Sequence, residues 1–352
     1  MGGAREINLI FVQRFLPILL FLLSITILSE IATEAEVFNR LAQRLSKIAR
    51  GNLLGLYLIV TFTASLVTIF LGLDTTAVLF TPVAIELAHR IGAKVLPFAM
   101  ATLLLSNTAS LLLPVSNLTN LLAQSKLHVS THQYVSHVYL AALAGILLSI
   151  GLLLIRFSHS LKGRFEVNDL NKVTDRKLLL MVSFACSLFA VMIVLNLSPV
   201  ISAGISAFIS ILAIYLRRRS FLSWKIVPWK LLLFTTALFA TVTVIEKFGL
   251  PRIVAPLSRS HWEILASSSL SANIFNNLPA YLAFESIRKT SDIYYVLIGT
   301  NFGSIVLPWG SLATLLWAQV CRANGVIIPW SKVISFSAVC ALVIVPITAL
   351  LL

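Results

Sequence analysis

Charge is what this sequence has least of. Only 11% of its 352 residues are Asp, Glu, Lys or Arg, and 13 of them are acidic. A soluble domain carries about 25% charged residues, so an ordinary water-facing surface is excluded. Cysteine is scarce as well. Cys186, Cys321 and Cys340 stand far apart with no CxxC, which removes a disulfide framework or thiolate metal site and leaves packing as their role. No GxxxxGK[ST] occurs, so the chain has no nucleotide-driven motor of its own. No nucleophile and base stand in a recognisable pairing, which argues against an intramembrane enzyme. Ten-residue alternating patterns are also missing, which argues against barrel strands.

What is abundant is apolar sequence: 58% of the residues, with a mean hydropathy of +0.95. Several runs exceed the roughly 18 apolar residues that span a bilayer. Backbone groups in hydrocarbon must be satisfied internally, so the expected fold is all-α and polytopic. Ten units follow, at 8–30, 52–90, 94–124, 134–157, 178–197, 199–217, 229–249, 261–290, 292–320 and 331–352. The first could be read as a signal peptide, but the repeat described below needs it as a helix. Between the first two units, Val37, Phe38, Leu41, Leu45 and Ile48 recur at helical spacing opposite Arg40, Arg44 and Lys47. This pattern predicts a helix lying on an anionic leaflet. The net charge of +14 does not point to nucleic acid, because the cations sit in the short segments between apolar runs.

Four of the units are about 30 residues or longer and are interrupted by polar or helix-breaking residues. Residues 106–122, SNTASLLLPVSNLTNLL, align without gaps on 300–316, TNFGSIVLPWGSLATLL. Seven of the 17 positions are identical, Asn107 with Asn301, Ser110 with Ser304 and Pro114 with Pro308 among them. The units before each copy also correspond, breaking at Gly72-Leu73-Asp74-Thr75-Thr76 and around Asn273, Asn276, Asn277 and Pro279. The expected architecture is therefore an internal duplication with two re-entrant helical hairpins (52–90 and 261–290) and two broken helices (94–124 and 292–320). The first repeat spans 1–157, a cytoplasmic linker 158–177, and the second repeat 178–352. Five crossings separate the first helix from its counterpart at 229, so the repeats are expected to be inverted, the design of a secondary active transporter. Paired inverted hairpins suit alternating access better than a continuous channel. The second half has two helices, 178–197 and 199–217, with no partner before residue 8, so the first repeat lacks two helices. Of the 27 Lys and Arg, 19 fall in loops that this arrangement places on one side. That bias makes this side cytoplasmic, with both termini extracytoplasmic, the first hairpin opening inward and the second outward.

Breaks at mid-membrane leave N–H and C=O groups free and expose half-helix ends, which bind ions. The candidates for substrate and coupling-ion binding are Asp74, Thr75, Thr76, Ser106, Asn107, Thr108 and Ser110 in the first half. In the second they are Asn273, Asn276, Asn277, Thr300, Asn301, Ser304 and Ser311. Gly72, Pro114, Pro279, Gly303, Pro308 and Gly310 break the helices. Small oxygen-bearing side chains suit a cation such as Na⁺; they also serve simply to cap helices and glue spans. Asp74 is the one acid at a tip, read as a coupling-ion or proton site, with a helix N-cap as the alternative. Glu30, Glu86, Glu246 and Glu285 lie towards helix ends, where solvation explains them. His128, His132 and His137 have no Cys, Asp or Glu beside them and read as a solvated loop. No cofactor is expected.

With these residues in view, the sequence resembles the arsenical pump membrane protein family of the ion transporter superfamily, whose relatives include Na⁺/H⁺ antiporters and citrate or dicarboxylate carriers. The resemblance rests on DTTAVLFTP at 74–82, SNTASLLLPVSNL at 106–118, NNLPAYL at 276–282 and GSLATLLW at 310–317. It implies efflux of arsenite or antimonite coupled to H⁺ or Na⁺, with a small inorganic or organic ion as substrate. It also implies a scaffold-plus-transport-domain fold in the cell membrane. A homodimeric second copy and a separate ATPase subunit are the candidate partners besides the lipid bilayer. The chain departs from the family pattern at Leu73-Asp74, Asn107 and Asn301, where members usually carry Asn-Asp, Asp and Asp. The triplet Ser106-Asn107-Thr108 is instead similar to the sodium-binding triplet of the carboxylate carriers, so a Na⁺- or H⁺-coupled citrate-like transporter or a Na⁺/H⁺ antiporter is the alternative.

The sidedness is testable with an impermeant thiol reagent on intact cells. In a cysteine-free background it should label Lys126→Cys and leave Lys162→Cys unlabelled; the opposite pattern would invert the assignment.

Overall fold

The computed structural model describes residues 16–165, 175–229, 232–233, 235–237, 260–285 and 292–352. Among these the regular structure is helical, apart from one isolated β-bridge between Asn52 and Arg164. Helices α1 (Leu16–Glu34), α2 (Val37–Ile48), α3 (Leu53–Leu71), α4 (Thr81–Arg90), α5 (Val95–Thr108), α6 (Leu118–Leu127) and α7 (Thr131–Phe157) form the first half. The second half has α8 (Arg176–Val194), α9 (Pro199–Arg218), α10 (His261–Phe275), α11 (Asn277–Glu285), α12 (Ile293–Phe302), α13 (Leu312–Ala323) and α14 (Trp330–Ala349). Of these, α1, α3, α7, α8, α9 and α14 are long and apolar enough to cross a membrane. The unit expected at 229–249 lies mostly outside the described residues, as does Glu246.

The chain forms two compact units, and each draws on both halves of the sequence. One comprises residues 1–38 and 171–245. In it α1, α8 and α9 pack on one another. The buried face of α9 is Ser202, Ala203, Ser206, Ala207, Ser210 and Ala213, a stripe of small side chains that lets helix backbones approach closely in lipid. Ion pairs sit at the helix ends. Arg218 pairs with Glu34, and Arg217 Nε donates to Asp175 Oδ2 at 2.9 Å. Asp175 also caps α8, accepting from the Leu178 and Lys177 amides at 3.0 and 3.1 Å; the Leu178 bond and then Arg217 hold its carboxyl below the usual range.

The second unit, residues 39–170 and 246–352, contains both interrupted pairs. Helix α5 is its axis: every residue from Pro97 to Thr108 is buried. Around it, Tyr57 of α3 stacks edge-on to Phe98 at 5.4 Å, and Trp317 Nε1 of α13 donates to Ala99 O at 2.8 Å. On α7, Ser149 Oγ donates to Thr108 Oγ1 at 2.8 Å. Helix α10 lies against α12 so closely that a Cβ on Gly299 or Gly303 would meet Ser268 Oγ at 1.9 Å or Ser269 Oγ at 2.3 Å. The Gly-x-x-x-Gly spacing is therefore a packing device.

Each interrupted pair breaks in the same way. After α3, Gly72 takes φ +94, ψ 162; after α10, Asn276 takes φ +87, ψ 153. Few L-residues adopt this conformation, which costs about 1–3 kcal/mol. Asn276 is held there because its Nδ2 donates to Trp309 O at 3.0 Å. Beyond Gly72 the chain makes a helical turn at Leu73–Thr75, then a π-helical turn at Thr76–Phe80. Pro82 explains the π turn. It has no N–H for the preceding turn, and Thr81 reaches back five residues to Thr76 O through its amide and, at 3.0 Å, its hydroxyl. Across the break, Thr68 and Thr76 share a hydroxyl hydrogen bond of 2.7 Å.

Gly72→Ala places a Cβ in this forbidden region and 3.5 Å from Ser116 O. It should destabilise the second unit by about 1–2 kcal/mol, read as a shifted unfolding midpoint in detergent.

Candidate functional site

The two broken helices stop and restart at matching positions, though their 3₁₀ turns fall at different places in the loop. The first runs from α5 through a short 3₁₀ turn at Pro114–Ser116 into α6; the second runs from α12 through a 3₁₀ turn at Gly303–Ile305 into α13. Asn117 precedes α6 at φ −151, ψ 142, and Ser311 precedes α13 at φ −137, ψ 140. Neither Pro114 nor Pro308 can donate to a helical ladder. At Gly310 a Cβ would meet Ser304 O at 2.3 Å, so only glycine fits there.

The backbone freed by each break is satisfied by side chains from the same unit. Asn120 Nδ2 donates to Ser110 O and Leu113 O at 2.6 and 3.1 Å, while Ser116 Oγ donates to Ile69 O at 2.6 Å. In the second half Asn273 does this work: its Nδ2 donates to Gly303 O at 2.7 Å, and its Oδ1 accepts from Leu307 N at 2.9 Å. Asn277 N donates to Gly310 O at 2.8 Å. The second tip is thereby pinned to the loop of the second broken helix. The first tip is pinned to the loop of the first, through Ser116 and the close approach of Gly72 to Ser116 O.

Where the two halves meet, they differ. Asn301, at the end of α12, reaches the start of α6. Its Oδ1 accepts from Thr119 Oγ1 at 2.8 Å and Asn117 Nδ2 at 3.2 Å, and its Nδ2 donates to Asn120 Oδ1 at 2.8 Å. Asn117 Oδ1 in turn caps α6 by accepting from Thr119 N at 3.3 Å. All four residues are buried. The equivalent Asn107, at the end of α5, donates only to Leu103 O and Ser106 Oγ, both in its own helix. The positions matching Asn117, Thr119 and Asn120 are Ser311, Ala313 and Thr314. Ser311 makes no side-chain cap to α13, and the Ser311 and Thr314 hydroxyls are buried without a hydrogen-bond partner. Helix α13 also packs against the first tip, where Asp74 Oδ1 is a third buried oxygen without a partner. One end of the pseudo-symmetric centre is thus closed by its own amides, and the other presents unsatisfied oxygens.

The remaining sequence-derived candidates fall in this same unit. Thr75 Oγ1 donates to Leu71 O at 2.7 Å, and Ser106, Thr108 and Thr300 bond back to carbonyls in their own helices. Ser110 and Ser304 make matching bonds to Asn107 O and Asn301 O, at 2.7 and 3.2 Å. Pro279 lies in the first turn of α11. Asn117, Thr119, Asn120 and Thr314 were not anticipated; a sequence signal existed in Asn117, a good capping residue placed after Pro114 and before an apolar run. Glu285 differs from the solvated helix end expected of it. It is buried at 1% exposure, and Tyr281 Oη donates to it at 3.0 Å. His137 stacks on Tyr294 at 5.0 Å instead of standing free in a loop. Among the described residues no group of three or more His, Cys, Asp or Glu gathers in metal-binding geometry.

Spanning helices wrapped around two paired breaks, each lined by buried hydroxyls and amides, define a multi-pass secondary transporter of the membrane. The profile of the citrate transporter family matches residues 2–291, and the chain belongs to that family. Among curated relatives, an arsenical pump membrane protein of Escherichia coli is 25% identical over 347 residues, covering 88% of this chain and 79% of its own length. A putative arsenical pump membrane protein of Bacillus subtilis (strain 168) is 22% identical over 378 residues, covering 92% of this chain and 84% of its own. In fold the chain is similar to the crystal structure of the YdaH transporter of Alcanivorax borkumensis. The TM-score is 0.61 at 13% identity, over 99% of this chain and 88% of that one.

The unequal wiring predicts unequal mutational costs. Asn301→Ala strands the Asn120 and Asn117 amides and should cost about 3 kcal/mol, whereas Asn107→Ala, which breaks bonds within one helix, should cost about 1 kcal/mol. Unfolding free energies in detergent would compare them.

Proposed function

We propose that this transporter moves a small anion, with arsenite- or antimonite-type oxyanions as the leading substrate, and that one coupling cation or proton binds at Asp74. The observation that carries the reading is that, of the seven buried side-chain oxygens without a partner among the described residues, three, Asp74 Oδ1, Ser311 Oγ and Thr314 Oγ1, stand on the first tip and at the start of the helix packed against it. Buried polar atoms are nearly always satisfied, and exceptions mark places where something else binds. A carboxylate with two hydroxyls is an oxygen donor set suited to Na⁺ or a proton carrier, with Thr75 and Thr76 at the same tip and Asn107 at the end of α5.

The coupling logic follows from charge. An oxyanion is repelled by an ionised Asp74, so it approaches the centre only after a cation or proton has neutralised that carboxylate. The α13 N-terminus, uncapped by Ser311, then offers N–H groups and the positive end of a helix dipole to the solute. In this scheme Asn301, Asn117, Thr119 and Asn120 position the two broken helices. Asn273, Asn276 and Asn277 hold the second tip to its loop, and Ser106, Thr108, Ser110, Thr300 and Ser304 set the helix ends. The sequence similarity to arsenical pump membrane proteins supports the substrate; the family profile, matched over residues 2–291, favours a citrate-like carboxylate as the second reading.

Flux into proteoliposomes, with arsenite and citrate tested separately under H⁺ and Na⁺ gradients, distinguishes the two. Asp74→Asn should lower gradient-driven flux about tenfold or more, the loss of one charge-assisted ligand. Gradient-driven flux unchanged in Asp74→Asn would overturn the role given to that residue.

A further inference from the structure

Helix α7 and helix α14 pack against each other in antiparallel fashion, so that the last turn of one lies beside the first turns of the other. Phe157 and Phe336 meet there edge to face, with ring centroids 6.2 Å apart. Just outside this contact an open groove of about 510 Å³ runs between the two helices. Its walls are the apolar side chains Leu152, Ile155, Phe336 and Val339, and at its end stand Arg156 and Lys332 with the hydroxyls of Ser331 and Ser335. Ile155 is 76% exposed and Val339 50%, apolar side chains exposed on two helices long and apolar enough to cross a membrane.

The two cations are uncompensated. Among the described residues neither enters an ion pair, and Arg156 instead rests over the Phe157 ring at 5.3 Å. They converge from different helices, Arg156 from the last turn of α7 and Lys332 from the first turn of α14. Pro329 leaves α14 without a side-chain cap, so the positive end of that helix adds to the same field. Ser335 Oγ donates to Ser331 O at 2.7 Å, so the headgroup contacts left to an anion there are the two cations.

We propose that this groove binds an anionic phospholipid, its phosphate held by Arg156 and Lys332 and an acyl chain lying along Leu152, Ile155, Phe336 and Val339. The groove extends along α14 from Ser331 to Val339, about 12 Å at helical rise, enough for the upper half of an acyl chain. Charge selects the headgroup. A phosphatidylglycerol-type lipid neutralises the paired cations, whereas a zwitterionic choline headgroup brings a third. Basic pockets between spanning helices are known lipid-headgroup sites in general. A free phosphate would satisfy the cations and leave the apolar wall unused, which is why the ligand is a lipid and not a soluble anion.

The experiment uses the full chain, delipidated in detergent, and reads both the melting temperature and the lipid retained in native mass spectra. Phosphatidylglycerol should raise the melting temperature and stay bound, and phosphatidylcholine or inorganic phosphate should do neither. The double variant Arg156→Gln/Lys332→Gln should bind phosphatidylglycerol roughly 30-fold more weakly, the loss of two headgroup cations. Arg322→Gln, an exposed cation of the same charge outside the groove, should behave as wild type. Val339→Trp fills the apolar wall without touching charge and should also weaken retention, so it decides the matter should the double variant fail to fold. Equal retention of phosphatidylglycerol and phosphatidylcholine would overturn the proposal. So would a shift reproduced by inorganic phosphate, or wild-type retention in Val339→Trp together with any folded double variant.

Discussion

A backbone that leaves its helix inside hydrocarbon must find hydrogen bonds for the groups it frees, and the second unit is organised around that requirement. Water is unavailable at that depth, and each orphaned N–H or C=O costs several kcal/mol. The chain meets the demand with small amide and hydroxyl side chains that reach across the breaks: Asn120 to Ser110 O and Leu113 O, Asn273 to Gly303 O and Leu307 N, Asn276 to Trp309 O, and Ser116 to Ile69 O. These bonds fix where each tip rests, and therefore where any ion at the centre would sit.

The same chemistry explains why two broken helices of matching sequence have unequal character. Asn at 117 and 120 gives the first broken helix both cap and cross-link, and Asn301 completes a closed set. Ser at 311 and Thr at 314 have shorter side chains that reach no partner, and Asp74 stands in the tip that α13 packs against. A pair of asparagines can satisfy each other, since each carries donors and an acceptor. An ionised carboxylate oxygen can only accept, so the Asp74 oxygen left without a partner is completed by a group that brings a donor or positive charge.

The other unit uses the opposite strategy. The buried face of α9 is made of small residues, and its charged contacts, Glu34 with Arg218 and Asp175 with Arg217, lie at helix ends where water is near. Packing of small side chains, Ser202, Ser206 and Ser210 among them, with ion pairs at the helix ends contrasts with the breaks and cross-linking amides of the second unit.

Much of this was legible in the sequence. Hydropathy alone required helices, and Gly72, Pro114, Pro308 and Gly310 had to interrupt them, because those residues withhold an N–H or permit a conformation the helix does not use. The identity of Asn107 with Asn301 and Pro114 with Pro308 led to the expectation of a duplication, and the paired positions Gly72 and Asn276, and Asn117 and Ser311, have similar backbone angles. What sequence did not reveal was partnership. Asn107 and Asn301 are the same residue at equivalent places, yet one bonds within its helix and the other binds three residues more than 180 positions away. Glu285, near the end of a helix, looked solvated and is buried against Tyr281. Local sequence determines whether a helix can continue, since that depends on neighbours one turn away. Which polar atoms are satisfied depends on what other segments bring to them, and that was decided only when the helices packed.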